Sequence, residues 1–129
     1  MILVDTSIWV NHFRQSNLQL VNLLTNDQVL CHPLVILEIA CGSPPAPRHK
    51  TLDYLEKLQT AKIATVREIM AMIENHKLHD SGCGATDMSL LASTLMTENA
   101  KIWTQDKNLE KLSKKLGVSF TPEIGRAHV

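Results

Sequence analysis

Four carboxylates stand out by where they fall in the chain. Asp5 follows the apolar run Ile2-Leu3-Val4 directly, and Glu38 is the only charged residue between Pro33 and Gly42. Asp87 opens the largely apolar stretch Met88–Leu95, and Asp106 comes just after Lys101-Ile102-Trp103. Like charges that converge in a low-dielectric cleft repel, so such a group is stable chiefly with a cation among them. Oxygen-only ligands favour Mg²⁺ or Mn²⁺ over zinc. A site of this kind can lower the pKa of a bound water and stabilise a phosphate during in-line displacement, with one metal or with two about 3.5–4 Å apart. The chemistry indicated is metal-assisted phosphodiester hydrolysis, which needs neither a histidine base nor a cysteine nucleophile.

Each acid also has a plainer reading. Glu38 lies in a helix that is apolar all round, and such helices are buried. A buried carboxylate must be neutralised, paired or bound to metal, so a buried salt bridge serves as well. Asp87 shares a helical face with Leu90, Leu91 and Thr94, yet an acid in a first turn is also favoured by the helix dipole. Asp5 and Asp106 could simply cap the helices after them. From the residues alone both readings stand for each position, and it is the set that favours a metal site.

The elements that must position these acids alternate. Ile2-Leu3-Val4, Val29-Leu30-Cys31 and Lys101-Ile102-Trp103 are short runs expected as strands, and Val118-Ser119-Phe120 reads as a last one. Helical patterns lie between them. Asp5-Thr6-Ser7 offers N-cap oxygens before Ile8-Trp9-Val10, and Leu20, Leu23 and Leu24 mark a second amphipathic stretch. Pro33 suits the first turn of a helix that Gly42 stops. Ser43-Pro44-Pro45-Ala46-Pro47 is a stiff surface connection. Leu52, Leu55 and Leu58 mark the next helix; Val66, Ile69, Met70 and Ile73 then follow the i, i+3, i+4, i+7 pattern, and after the break at Gly82-Cys83-Gly84 so do Met88, Leu91, Ala92 and Leu95. Leu109, Leu112 and Leu116 define the last long helix before Gly117. Strands alternating with helices predict an α/β protein, a parallel sheet between helical layers. In such sheets ligands bind beyond the carboxyl ends of the strands, where Asp5 and Asp106 fall.

Composition narrows the classes. A chain of 129 residues is expected to form one domain, here residues 1–122. No apolar run approaches the roughly 20 residues needed to cross a bilayer. The start Met1-Ile2-Leu3-Val4-Asp5 lacks the basic flank of a signal peptide, so a cytoplasmic protein is expected. Cys31, Cys41 and Cys83 are odd in number and widely spaced, which reads as free thiols in a reducing compartment. His76-x-x-His79 has no cysteine at a zinc-site spacing. Thirteen basic residues balance thirteen acidic ones, so charge does not announce a nucleic-acid partner, although sequestering the acids at a metal would leave a net basic surface.

At its acidic residues the chain resembles the PIN-domain family, specifically the VapC-type toxins. Ile2-Leu3-Val4-Asp5-Thr6-Ser7-Ile8-Trp9 resembles the family's opening hydrophobic-Asp-Thr-Ser segment. His32-Pro33-Leu34-Val35-Ile36-Leu37-Glu38-Ile39-Ala40-Cys41-Gly42 is similar to its Glu-bearing helix. Gly82-Cys83-Gly84-Ala85-Thr86-Asp87-Met88-Ser89-Leu90-Leu91-Ala92 resembles the segment with the third acid, and Ile102-Trp103-Thr104-Gln105-Asp106-Lys107-Asn108-Leu109 the Thr-x-Asp element with the fourth. The ordered set covers nearly the whole chain. The resemblance implies an α/β/α sandwich around a short parallel sheet and a Mg²⁺- or Mn²⁺-dependent endoribonuclease. It also implies a structured RNA substrate such as tRNA or rRNA, a homodimer, and a cognate VapB-type antitoxin. By family role Asp5, Glu38, Asp87 and Asp106 are the catalytic acids, with Asp5 and Asp87 touching the metal. Ser7 and Thr104 match small hydroxyl positions that order waters or carboxylates, or else cap helices.

Other features are weighed beside it. Asp80 is an acid that the pattern does not ask for and reads as a solvated loop residue. Glu123–Val129 has no role in the pattern and can be encoded by GAG ATC GGA AGA GCA CAC GTC, similar to a common sequencing-adapter sequence; this tail is expected to be non-native or disordered. Lys107, Lys111, Lys114 and Lys115 could contact phosphates or form a solvated face. Arg48 could reach a phosphate or an antitoxin carboxylate. Trp9 and Trp103, flanked by apolar residues, read as core. A phospho-acceptor receiver or an aspartyl phosphatase fits poorly, because Thr6-Ser7 follows Asp5. A non-catalytic PIN-like module binding RNA or protein would usually have lost some of the acids, and all four are present.

Overall fold

Strand β1 (Ile2–Val4) is buried at all three residues and runs through the middle of a four-stranded sheet in the computed structural model, which describes residues 1–122. The expectation about the tail at Glu123–Val129 falls outside the described residues. The strand order is β3 (Gln59–Thr60), β2 (Val29–Cys31), β1, β4 (Lys101–Trp103), and every pairing is parallel. Leu3 pairs with Leu30 on one side and with Ile102 on the other. All three are buried, as strands covered on both faces must be.

Helices α1 (Thr6–Arg14) and α2 (Leu18–Thr25) link β1 to β2, and α3 (Pro33–Cys41) and α4 (Arg48–Glu56) link β2 to β3. Helices α5 (Val66–His76) and α6 (Ala85–Met96) then return the chain to β4, and α7 (Lys107–Lys115) follows it. Parallel crossovers are right-handed. Moving from β1 to β3 therefore places α1–α4 on one face, and jumping back past β1 to β4 places α5 and α6 on the other. The packing agrees, with α3 against α1 and α4, and α6 against α5 and α7. This is the expected α/β/α sandwich. Its strand order reverses between β1 and β4, which opens a crevice at their carboxyl ends.

Two details differ from the strand pattern read in the sequence. β3 forms at Gln59–Thr60, both exposed and without an apolar run. An edge strand needs only main-chain pairing, supplied here by β2 and by the Ala61 amide donating to the Cys31 carbonyl at 3.0 Å. At the other edge the expected strand Val118–Phe120 is reduced to one parallel bridge between Ser119 and Ile102. Gly117, at φ 74°, turns the chain into it from α7.

Side chains fix the helix ends. His32 caps α3, its Nδ1 accepting from the Leu34 amide at 3.0 Å. Its Nε2 lies 3.1 Å from the Ser93 hydroxyl of α6, joining the two helical layers. Arg48, read in sequence as a candidate for phosphate or antitoxin, instead donates to the carbonyls of Ala40 and Gly42 at the end of α3. The unfilled acceptors at a helix terminus claim it. Trp9 and Trp103 are core residues, and the three cysteines are unpaired. No helix among the described residues is long and apolar enough to cross a membrane.

Candidate metal centre

Asp5 stands where β1 ends and α1 begins. Its amide extends the sheet by donating to the Trp103 carbonyl at 2.9 Å, and its carbonyl receives the first amides of α1. Its side chain does not cap that helix. The residue is 7% exposed, and Oδ2 accepts from the hydroxyls of Thr104 at 2.7 Å and Ser7 at 3.0 Å. No hydrogen bond reaches Oδ1 among the described residues, and no basic side chain pairs with Asp5 there; Lys114–Glu110 is the ion pair found among them. A buried carboxylate without a counter-charge is costly. The arrangement asks for a cation.

The two hydroxyls tie the end of β1 to the loop after β4. Ser7 Oγ accepts from the Gln105 amide at 3.1 Å, and Thr104 Oγ1 accepts from the Asp106 amide at 3.0 Å. Each hydroxyl thus spends its proton on Asp5 and its lone pair on the loop. Beyond them Asn11 of α1 donates to the Gln105 side chain. Asp106 does act as an N-cap, since its Oδ1 accepts from the Leu109 amide at 2.8 Å.

Asp87 enters from the opposite layer, in the first turn of α6, and is half-buried. Burial pushes its carboxyl above the usual carboxylate range; Asp106, Asp5 and Glu38 push it the same way, against the Gly84 amide that favours the charged form. One group therefore feels the other three acids. Asp87 and Asp106 also stand with Cys83: one ligand atom from each lies within 4.8 Å of the other two.

Glu38 corrects an expectation. It is exposed, not buried, and so is Leu37 at 57%. Helix α3 buries only Val35 and Ile39. Leu34, Ile36 and Ala40 are partly buried, and Glu38 lines a cleft of about 550 Å³ between α1, α3 and the Pro-rich connection. Glu38 is steered to the centre by Thr6, whose hydroxyl donates to Oε1 at 2.5 Å.

Two residues here escaped the sequence reading. Thr6 reads in sequence only as a cap oxygen, and nothing local in sequence connects it to position 38. Cys83 reads in sequence only as a free thiol, which it is, and not as a neighbour of the acids. Its place beside Asp106 comes from the Gly82 turn, at φ 84°, which lies so close to α7 that a Cβ there would sit 2.5 Å from Asn108 Nδ2.

Comparison with known proteins falls in line with this geometry. Residues 2–115 match the family model described as PIN domain. Over 124 residues, 96% of this chain and 99% of the relative, the sequence is 40% identical to Ribonuclease VapC32 of Mycobacterium tuberculosis strain CDC 1551 / Oshkosh. The protein of the same name from strain ATCC 25618 / H37Rv matches to the same extent.

Proposed function

The chain belongs to the PIN-domain family, and we propose that it is a divalent-metal-dependent endoribonuclease acting as the toxin of a VapBC-type toxin–antitoxin pair. The observation that carries the reading is Asp5, buried, without a counter-charge, and near enough to Asp87 to raise its pKa together with Glu38 and Asp106. Asp5 and Asp87 would hold Mg²⁺ or Mn²⁺. When bound, the cation supplies a neutralising charge, an activated water and electrostatic stabilisation of the phosphate undergoing in-line displacement.

The chain's own residues do the rest. Thr104 and Ser7 fix Asp5 Oδ2 and leave Oδ1 free of hydrogen bonds among the described residues. Thr6 holds Glu38 at its rim, where an exposed carboxylate can accept a proton from water. Asp106, held by its cap at the start of α7, shares the charge at Asp87. The partners that go with this reading are a structured RNA, a VapB-type antitoxin and a second copy of the chain.

The test is direct. Purified antitoxin-free protein is expected to cleave structured RNA with Mg²⁺ or Mn²⁺ and to stop when EDTA is added. Losing an outer hydrogen-bond partner of a metal ligand typically costs roughly 10–100-fold, so Asp5→Asn should cost more than about 100-fold. Undiminished cleavage by a folded Asp5→Asn variant would remove the assignment.

A further inference from the structure

We propose that Cys83, Asp87 and Asp106 form a mixed sulfur–oxygen corner of the acidic centre, which takes a thiophilic divalent cation such as Zn²⁺ or Cd²⁺ in competition with the hard cation. The inference rests on reading the centre as a cation site, and not on its cleavage of RNA.

Three side chains from three segments carry it: Cys83 from the Gly82–Gly84 turn, Asp87 from α6, and Asp106 from the entry to α7. Their ligand atoms lie within 4.8 Å of one another. Zn–S bonds of about 2.3 Å and Zn–O bonds of about 2.0–2.2 Å put tetrahedral ligands roughly 3.5 Å apart. The cluster is therefore little more than 1 Å too open, a gap that side-chain rotation can close. Asp5 points independently to a cation here: it is more than nine-tenths buried, its Oδ1 has no hydrogen-bond partner among the described residues, and its charge is felt at Asp87.

Softness decides which cation prefers this corner. Carboxylates alone suit Mg²⁺ or Mn²⁺, whereas one thiolate shifts preference toward zinc and cadmium. Binding exchanges the Cys83 thiol proton for the cation, and the proton leaves to solvent. The other thiols are poorly placed for this role. Cys31 is buried in β2, and Cys41 lies at the far end of α3.

Titration of the intact protein with Co²⁺ and Cd²⁺ in TCEP should produce thiolate-to-metal charge-transfer absorption that saturates near one equivalent. The band should vanish in Cys83→Ser and persist in a Cys31→Ser/Cys41→Ser double variant. Asp87→Asn should weaken Cd²⁺ binding by at least about tenfold, since losing only an outer hydrogen-bond partner of a metal ligand already costs roughly 10–100-fold. In the unmodified protein, Cd²⁺ should protect Cys83 from iodoacetamide as read by mass spectrometry. That arm holds even if a variant fails to fold. A band that survives in Cys83→Ser, no band in the wild type, or alkylation indifferent to Cd²⁺ would each overturn the proposal. Mg²⁺-dependent RNA cleavage by the wild type, measured in parallel, reports on the nuclease reading alone.

Discussion

Asp5 is held by the hydroxyls of Ser7 and Thr104, and Glu38 by that of Thr6, so three hydroxyls orient two of the four acids. The sequence placed Asp5 among helix caps, and only the structure shows its side chain turned away from α1 toward Ser7 and Thr104. Glu38 sits among apolar residues, but hydropathy along one helix cannot tell which neighbours cover it, and α3 leaves Leu37 exposed as well. For Asp87 the inward direction was legible from the wheel positions of Leu90 and Leu91. Its stability effect follows from the pKa direction. Burial and three like charges raise its folded pKa, so its contribution is favourable below the ordinary carboxylate pKa and is lost as pH rises through the raised value. Asp87→Asn should therefore abolish cleavage and yet melt at a higher temperature than wild type at neutral pH in EDTA. That advantage should shrink as pH falls toward the ordinary carboxylate range. A lower melting temperature for the variant at neutral pH would contradict the account.

Among elements, α3 and α7 make distinct predictions. α3 depends on a neutral imidazole, because His32 Nδ1 must accept from the Leu34 amide. Burial lowers the His32 pKa, so its contribution is complete above the ordinary histidine range and is lost as pH falls through that range toward the depressed value. His32→Ala should cost roughly 0.5–2 kcal/mol at pH 8, the usual range for a lost cap, and should flatten the fall in stability between pH 8 and pH 5 seen by denaturant titration. An unchanged slope would remove His32 as its source. On α7 the lysine stripe was legible, but its division of labour was not. Lys114 pairs with Glu110 at 3.8 Å and Lys115 donates to the His76 carbonyl, which leaves Lys107 and Lys111 exposed without a partner among the described residues. Lys107 also sits at the first helical position, where the dipole disfavours a cation. Lys107 follows Asp106 directly and Lys111 lies about one turn further along α7, so RNA phosphates are expected against them. In the Asp5→Asn background, Lys107→Gln/Lys111→Gln should weaken RNA binding and reduce the salt slope by about 2, roughly one per lysine. Lys114→Gln/Lys115→Gln, with its cations already engaged, should change that slope less.

For the molecule as a whole, alternation of strand and helix made the parallel sheet legible and placed Asp5 and Asp106 at strand ends. It could not give the order 3-2-1-4, because β3 carries no apolar signal and adjacency is decided by crossovers longer than any local pattern. That order puts Glu38 in one helical layer and Asp87 in the other, with Asp5 and Asp106 at the strand ends between them, near enough for all three to raise the Asp87 pKa. The centre thus holds together four segments whose charges repel, and a bound cation should stabilise the whole fold rather than one loop. Mass action sets the scale: a ligand at 100 times its Kd adds about 2.7 kcal/mol when it binds only the folded state. Mn²⁺ should accordingly raise the melting temperature of the wild type in a concentration-dependent way that EDTA reverses. Asp5→Asn, which removes the buried charge, should respond far less. A wild-type melting temperature indifferent to millimolar Mn²⁺ and Mg²⁺ would mean that the four acids tolerate one another without a cation, and would leave the burial of Asp5 without its explanation.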